Sequence, residues 1–246
     1  VHTEQFDNGI VVFPLKKELP EKLEYTYLFK VDDREYFLWN KELSEDSIPK
    51  GYSYVEERSM RKENKGPCEE VFAVTTAKHL SDWYRDTCFC GRCGTKMVPH
   101  DKERAMSCPS CGYIAYPRIM PAVIVGVKNG DKLLLTKYRT GFAHNALIAG
   151  FTEIGETAEE TVMREVMEEA GIKVKNIHYY KSQPWGTAND LLLGFYCEVD
   201  GDDTITMDRH ELKYAEWVQR EEIVLQPGNF SLTNEMMRRF KEGYEV

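Results

Sequence analysis

The stretch GFTEIGETAEETVMREVMEEAGI (residues 150–172) contains the strongest helix prediction in the chain. Thr157, followed three residues later by Glu160, predicts a capping box at the start of a helix. Gly171 lies at the position where a glycine commonly ends a helix, because a left-handed backbone conformation is needed there. A glycine- and acid-rich loop precedes the helix. This segment therefore predicts a strand, a loop and a helix in immediate succession.

The predicted helix carries an unusual density of negative charge. Glu168 and Glu169 follow Glu165 by three and four residues, a spacing that places all three on one helix face. Each like-charge pair of this kind costs an isolated helix about 0.2–0.5 kcal/mol. The quoted stretch contains seven acids and one base, Arg164. Arg164 can neutralise one carboxylate, and we predict that its partner is Glu156.

The remaining carboxylates need water or cations. Oxygen ligands suit Mg²⁺ or Mn²⁺, which also bind pyrophosphate oxygens. Such ions would neutralise charge, align an anionic substrate and activate a water molecule. Glu165 and Glu169 are the predicted ligands, and Glu168 is predicted as a further ligand or as the general base. The alternative is a solvated acidic helix face without catalytic function.

The segments around this helix predict a sheet. AVIVGV and KLLLTKYR flank Asn129-Gly130, a strong signal for a two-residue hairpin. Further strands are predicted at ALIAGF, KVKNIHYYKSQPW, DLLLGFYCEV and KYAEWVQ, and a closing helix at TNEMMRRFKEGYE. Strands surrounding a central helix predict an α/β sandwich.

Two C-x2-C pairs lie upstream, separated by fourteen residues: Cys90 with Cys93, and Cys108 with Cys111. This spacing predicts a tetrathiolate Zn²⁺ site in a zinc ribbon, with Gly91, Gly94 and Gly112 easing the turns. Four thiolates leave no open position, so the predicted zinc is structural. Reduced or redox-active thiols are the alternative.

The other three of the seven cysteines do not extend this pattern. Cys88 could compete with Cys90, although C-x-C fits a knuckle less well. Cys68 and Cys197 are expected to be small buried hydrophobic residues.

The N-terminal region is different in character. YTYLFKV and REYFLW, around Asp32 and Asp33, predict a β-hairpin. VEERSMRKENKGP predicts a charged loop, and CEEVFAVTTAKHLSDWYRD predicts a helix. We therefore divide the chain into a β-rich domain (1–86), a zinc ribbon (87–116) and an α/β domain (117–246).

Composition limits the classes of function. The chain has 246 residues, of which 42% are apolar and 30% charged, with a net charge of −9. An acidic protein is unsuited to passive binding of nucleic acid or anionic membrane. No apolar run reaches membrane-spanning length, and the first residues do not resemble a signal peptide. We expect a cytoplasmic protein without a disulfide framework.

The quoted stretch fits G-x5-E-x7-R-E-U-x-E-E-x-G-U, with U apolar, at every fixed position. These are Gly150, Glu156, Arg164, Glu165, Val166, Glu168, Glu169, Gly171 and Ile172. This is the Nudix box, and the chain resembles the Nudix hydrolases. The resemblance implies an α/β/α sandwich with a mixed sheet, and catalysis by the box residues.

A four-cysteine ribbon before the box and SQPW after it (Ser182–Trp185) resemble the NADH pyrophosphatase group. This resemblance implies a homodimer that hydrolyses NAD(H) to nicotinamide mononucleotide and AMP, and extends to NAD-capped RNA. It also implies that the Ala149 carbonyl and the Glu211 carboxylate join the metal site. Tyr116 and Phe151 would contact the adenine, with core packing as the alternative for each ring.

The chain departs from the group in two places. GTAND (186–190) stands where the group has P-F-P-x-S, and Ser231-Leu232-Thr233 where it favours S-I-A. Both places fall in the implied substrate site, whose candidates also include Gln183, Trp185 and Thr233. For Trp185, an interior strand position is an equal alternative.

Three hypotheses follow. The first is a metal-dependent NAD(H) pyrophosphatase. The second is a Nudix enzyme for another nucleoside diphosphate derivative, such as ADP-ribose. The third is a binding module whose ribbon engages nucleic acid through basic residues around it, namely Lys96, His100, Lys102, Arg104 and Arg118. The net charge and the intact box disfavour the third.

Overall fold

The computed structural model describes residues 2–5, 11–19, 24–39, 48–49, 52–54, 68–140 and 144–244. Its contacts group the chain into two compact units. The first unit comprises residues 1–119 and 185–189, and the second comprises residues 120–184 and 190–246. In the described part of the chain, no helix has the length and apolarity to cross a membrane.

The first unit begins with short strands and one long helix. They are β1 (His2–Gln5), β2 (Val11–Val12), β3 (Tyr25–Val31), β4 (Arg34–Trp39), β5 (Tyr52–Tyr54) and α1 (Cys68–Asp86). β3 and β4 form the predicted hairpin, with Asp32 at a φ of 50° in its turn. β1 pairs with β2 and β5 in a second small sheet, which the sequence pattern had not indicated. The predicted loop at 55–67 lies outside the described residues.

The ribbon completes the first unit. Its antiparallel sheet has the order β6 (Val98–Pro99), β7 (Met106–Ser107), β8 (Ile114–Ala115). A small core contains Trp83 of α1 together with Met97 and Met106 and two of the paired cysteines, Cys90 and Cys108. The ribbon is thus anchored on the end of the helix that precedes it.

The second unit is built on a six-stranded sheet. Its strands are β9 (Met120–Asn129), β10 (Lys132–Tyr138), β11 (Ile148–Phe151), β12 (Val174–Trp185), β13 (Asp190–Val199) and β14 (Leu212–Gln219). The order is β12-β13-β9-β10-β14, and β11 pairs with β9. β13 runs parallel to β9, whereas β10 and β11 run antiparallel to it, so the sheet is mixed as predicted.

The β9–β10 hairpin is confirmed, with its turn one residue later than predicted. Asn129 pairs with Lys132, which leaves Gly130 and Asp131 as the two loop residues. Gly130 has a φ of 58°. A glycine with positive φ at the first loop position is typical of a tight hairpin turn.

Two helices cover opposite faces of this sheet. Helix α2 (Ala158–Ala170) has the predicted capping box at Thr157 and ends at Gly171, whose φ is 70°. Val162 and Val166 pack against alternate residues of β9, including Val123 and Val125. Because side chains alternate across a strand, the intervening residues face the other helix.

Helix α3 (Leu232–Lys241) covers the second face. Leu232 and Met236 lie against Gly194, and the Tyr196 hydroxyl donates to the Met236 carbonyl at 2.7 Å. The second unit is therefore an α/β/α sandwich, as the sequence predicted. The α2 face positions the acidic residues.

Candidate active site

Arg164 organises the start of the acidic cluster. Its Nε and Nη2 donate to the two carboxylate oxygens of Glu156 at 2.6 and 2.9 Å, the predicted partnership in bidentate form. Nη1 donates to Glu165 at 2.7 Å and to Glu168 at 3.0 Å. Nη2 also reaches the Phe151 carbonyl at 2.9 Å. One guanidinium thus ties the loop, the helix and the end of β11 together.

The surroundings of Glu156 stabilise a permanent negative charge on its carboxylate. Besides Arg164, its carboxylate accepts from the Glu153 backbone N–H at 3.1 Å and from the Thr161 hydroxyl at 3.0 Å. These donors, Arg164 foremost, lower the pKa of Glu156 to about 2. Glu156 is therefore a structural anchor that remains ionised at all physiological pH values.

Glu169 has the opposite environment. It is 3% exposed, and its Oε2 has no hydrogen-bond partner among the described residues. Burial, followed by repulsion from Glu165 and Glu211, raises its pKa to about 8. A buried carboxylate without a full set of partners is costly unless a proton or a cation joins it. This atom is the clearest sign of a cation site.

Glu165 and Glu211 complete the group of acids. The Glu165 side chain is 13% exposed, and burial raises the pKa of its carboxyl, which Arg164 opposes. The charge of Glu211 contributes to the raised pKa of both Glu165 and Glu169, so the three carboxylates share one electrostatic environment. Glu165 lies directly against the backbone of Gly150, next to the Ala149 carbonyl. These oxygens fit a hard divalent cation.

Glu168 differs from the other two helix acids. Its side chain is 61% exposed and contacts Arg164. The third acid of the face is therefore accessible to solvent, while Glu169 is buried. This difference in exposure was not readable from their shared helical spacing.

The structure also brings in a residue that the sequence analysis missed. The Tyr138 hydroxyl lies 3.3 Å from Glu169 Oε1 and 3.5 Å from the Ala149 carbonyl oxygen. Tyr138 ends strand β10, and no sequence motif connects it with helix α2. Its position beneath the acids depends on the pairing of strands distant in sequence.

The two candidate aromatic residues are surface residues of their units. Phe151 is 48% exposed and Tyr116 is 55% exposed, which excludes full core burial for both. The Tyr116 hydroxyl donates to Glu103 at 2.8 Å. Both side chains are therefore partly accessible to solvent.

Gln183 supports the start of helix α3. Its Nε2 donates to the Phe230 carbonyl at 2.9 Å, and its Oε1 accepts from the Leu232 N–H at 2.7 Å. Both ends of the amide are engaged by the backbone, so Gln183 holds the segment that carries Thr233. Thr233 itself is half-buried in the first turn of α3.

The GTAND segment begins in close contact with α1. The Gly186 backbone lies so close to the Thr75 carbonyl of α1 that a Cβ atom at position 186 would overlap it. Trp185, at the end of β12, is half-buried. A side chain at position 186 would therefore collide with the backbone of α1.

Asp190 closes the segment as a buried acid. It is 6% exposed, and its Oδ1 has no hydrogen-bond partner within the described chain. Burial raises its pKa to about 6. A carboxylate in this position is poorly solvated at neutral pH.

The four paired cysteines converge as predicted. Their Sγ atoms all lie within 4.8 Å of one another, with 3.7 Å between Cys90 and Cys111 and 3.5 Å between Cys93 and Cys108. A tetrahedral site with Zn–S bonds of about 2.3 Å requires sulfur separations of about 3.8 Å. The cluster fits zinc.

The residues around the cluster agree with most of the predictions. Gly94 and Gly112 have φ values of 74° and 72°, and each closes a turn on the first cysteine of its pair, whereas Gly91 has no positive φ. Cys88 lies outside the cluster, with its Sγ 3.5 Å from the Tyr84 carbonyl. Cys197 is fully buried, as expected, and the Cys68 side chain lies outside the described residues.

Comparison with known proteins agrees with this architecture. A family profile described as NUDIX domain matches residues 118–240, half of the chain. A second, described as NADH pyrophosphatase zinc ribbon domain, matches residues 85–116. A crystal structure of a NUDIX hydrolase from Nitrosomonas europaea superimposes with a TM-score of 0.55 at 23% identity, over 63% of this chain and 90% of that one. This last similarity shows the fold.

Relatives that are more similar in sequence carry a functional name. The chain is 44% identical over 151 residues to the NAD-capped RNA hydrolase NudC of Shigella flexneri, and 43% identical to that of Escherichia coli K12. Each alignment covers 60% of this chain and 58% of the relative, so less than two thirds of their length is matched. The complete box, the profile over half of the chain and the α/β/α sandwich together establish that this chain belongs to the Nudix family.

Proposed function

We propose that this protein is a divalent-metal-dependent pyrophosphatase. Its substrate would be NAD(H), hydrolysed to nicotinamide mononucleotide and AMP, and the same chemistry would remove the NAD cap from RNA. The observation that carries the proposal is the environment of Glu169 on the Nudix helix: it is buried, its Oε2 has no hydrogen-bond partner among the described residues, and the charges of Glu165 and Glu211 act on it. The relatives named as NAD-capped RNA hydrolases support the choice of substrate.

Mg²⁺ or Mn²⁺ is the proposed catalytic cation. Glu165, Glu169, Glu211 and the Ala149 carbonyl would hold it, since all four offer the hard oxygen ligands these ions prefer. When bound, the ion would neutralise the diphosphate and make an attacking water a stronger nucleophile. Zn²⁺ in the four-cysteine site would serve structure only.

The chain's own residues would have distinct tasks. Arg164 and Glu156 would hold the loop on the helix through their bidentate pair, and Arg164 would also hold β11 through its hydrogen bond to the Phe151 carbonyl. Glu169 and Glu165 would concentrate negative charge where a cation is required. Glu168 is the proposed general base, because its exposed carboxylate remains open to water.

The proposed substrate contacts lie outside the acids. Phe151 and Tyr116 would stack on the adenine with their exposed rings. Trp185 and Thr233 would line the dinucleotide, and Gln183 would act by holding the start of α3. We retain the division into domains at 1–86, 87–116 and 117–246, and propose that the first domain does not supply catalytic groups.

A second candidate is hydrolysis of another nucleoside diphosphate derivative, such as ADP-ribose. The observation that favours it is GTAND, where Gly186 contacts α1 and the buried Asp190 has an Oδ1 without a hydrogen-bond partner among the described residues. An acid here would change which substrate groups are accepted, without altering the metal ligands.

We further propose a homodimer located in the cytoplasm. The homodimer is proposed from the resemblance to the NADH pyrophosphatase group. The cytoplasmic location is proposed because clustered, reduced cysteines are typical of a reducing compartment. Size-exclusion chromatography with light scattering tests the first, and a mass of one chain would exclude it.

The decisive experiment is a chromatographic product assay with Mg²⁺ or Mn²⁺. NADH, NAD⁺, ADP-ribose, diadenosine polyphosphates and NAD-capped RNA are compared side by side, with Glu169→Gln as the blank. Two results would support the first candidate: AMP and reduced nicotinamide mononucleotide formed fastest from NADH, or nicotinamide mononucleotide and 5′-monophosphorylated RNA formed fastest from capped RNA. Faster turnover of ADP-ribose would support the second. No turnover above the blank would exclude both.

A further inference from the structure

Tyr138 occupies a position between two proposed metal ligands. Its hydroxyl lies within hydrogen-bond distance of both Glu169 Oε1 and the Ala149 carbonyl oxygen, at 3.3 and 3.5 Å. It thereby bridges helix α2 and strand β11 from a third element, β10. A hydroxyl has one proton, so it donates to one of these oxygens at a time or shares its proton between them.

The carboxylate of Glu169 needs such a donor. Glu169 is 3% exposed, so its carboxylate depends on partners within the protein rather than on solvent. Tyr138 is the one side chain within the described chain that donates a hydrogen bond to it, and that bond engages Oε1. Oε2 is left without a partner among the described residues. The hydrogen bond therefore holds Oε1 in place, whereas Oε2 has no such restraint from the described residues.

The backbone around Tyr138 makes this contact possible. β10 pairs with β14 in regular register up to Lys137 and Tyr214, and the register then shifts so that Tyr138 faces Leu212. Such a bulge bends a strand and re-aims the side chains beside it. It also brings Tyr138 next to the strand end that follows Glu211. The irregularity therefore places Tyr138, which contacts two proposed ligands, opposite the residue that follows a third.

We propose that Tyr138 is a positioning residue for the divalent-cation site. It orients Glu169 so that Oε2 remains available to the cation, and it restrains the Ala149 carbonyl. The inference rests on the proposed function for the identity of the site. Tyr138 itself does not contact the reacting atoms. Groups that orient ligands in this way typically contribute about 10–100-fold to metal affinity or activity.

The test is Mn²⁺ binding to the zinc-loaded protein in the absence of substrate. Free Mn²⁺ is followed by electron paramagnetic resonance for wild type and for Tyr138→Phe, which keeps the ring and removes only the hydroxyl. We expect the dissociation constant for Mn²⁺ to rise about tenfold. In the hydrolysis assay, the Mn²⁺ concentration giving half-maximal rate should rise in parallel, while kcat at saturating Mn²⁺ falls less.

Tyr196→Phe is the matched control. It removes a tyrosine hydroxyl that is likewise hydrogen-bonded inside the second unit, to the Met236 carbonyl at 2.7 Å, on the opposite face of the sheet. This control should lower stability and leave Mn²⁺ binding unchanged. Wild-type Mn²⁺ affinity in a folded Tyr138→Phe protein would overturn the proposal. An equal loss of affinity in both variants would also overturn it, because the effect would then be general.

A second variant guards against a folding defect in Tyr138→Phe. Tyr138→Trp keeps an aromatic ring with a polar N–H at a different place, and should also weaken Mn²⁺ binding while circular dichroism stays native. Wild-type affinity in this folded variant would likewise contradict the proposal. Because Mn²⁺ binding is measured without turnover, failure of every substrate would remove the proposed function and leave this result standing.

Discussion

The carboxyl group of Glu165 occupies the space that any side chain at position 150 would need. A Cβ atom placed on Gly150 would overlap the carboxyl carbon and both carboxylate oxygens of Glu165. Glu165 is thus seated against the bare backbone of β11, beside the Ala149 carbonyl. The first glycine of the box exists to let a carboxylate approach the main chain, since no positive φ is needed at this residue.

Gly150→Ala should therefore displace Glu165 rather than unfold the protein. The overlapping atoms are the far end of a side chain that can rotate away, so we expect a loss of about 1–3 kcal/mol in the free energy of unfolding. Hydrolysis should fall at least tenfold because a proposed ligand moves. Urea unfolding of Gly150→Ala, Glu165→Ala and the double variant checks the cause: in the Glu165→Ala background the alanine should cost almost nothing. An equal loss of stability from the alanine in both backgrounds would contradict displacement of Glu165 as the cause.

Arg164→Lys should impair the site even though the charge is kept. A lysine has no planar fork, so it cannot donate to both Glu156 oxygens while also reaching Glu165 and the Phe151 carbonyl. We expect kcat to fall about 10–100-fold, since small displacements of catalytic groups have effects of that size. Arg238→Lys, whose guanidinium contacts Asn229 on the surface, is the matched control and should retain full activity. Equal kcat values for both variants would refute the role given to Arg164.

Asp190→Asn should stabilise the protein at neutral pH. Burial raises the pKa of Asp190 to about 6, against 3.8 for an ordinary aspartate. Below about pH 4 the group is neutral in both folded and unfolded states and costs nothing. As the pH rises from about 4 to 6, the unfolded state ionises first and the wild type loses stability. Above pH 6 the variant should exceed it by about 1–3 kcal/mol.

Urea unfolding followed by circular dichroism between pH 4 and 8 measures this difference. Asp33→Asn, at a fully exposed site, is the control and should follow the wild type at every pH. Parallel curves for wild type and Asp190→Asn would mean that Asp190 is well solvated or paired. Substrate preference of the same variant reports on the second candidate function.

Zinc should be present at one equivalent per chain and should stabilise the ribbon. Cys108→Ser should lose the metal, and because Trp83 packs in the same small core as Cys108, its fluorescence should change. Structural zinc binding is worth about 10–16 kcal/mol in isolated zinc-finger peptides, so strong chelators should produce the same change. Cys88→Ser should keep full zinc content, as its thiol lies outside the cluster. Metal analysis showing equal loss in both variants would refute the assignment.

Local patterns were sufficient for much of the fold and for the cluster of acids. The capping box at Thr157, the glycine at 171, the hairpin around Gly130 and the two cysteine pairs all depend on residues close in sequence. Their physical basis is short-range: caps satisfy backbone groups one turn away, and knuckles turn within four residues. The pairing of Arg164 with Glu156 followed from charge balance over two helical turns.

What the linear pattern could not reveal is how burial divides similar residues. Glu168 and Glu169 are neighbours in sequence, yet Glu168 is exposed and Glu169 is buried, with an oxygen that no described residue partners. The contacts of Tyr138 with Glu169 and of Gly186 with Thr75 join residues 31 and 111 positions apart. Such contacts arise only when strands and helices assemble, because the solvation of a charge depends on everything that surrounds it. The sequence alone therefore predicted which residues form the acidic site, whereas the tertiary structure determined the burial and the pKa values of those residues.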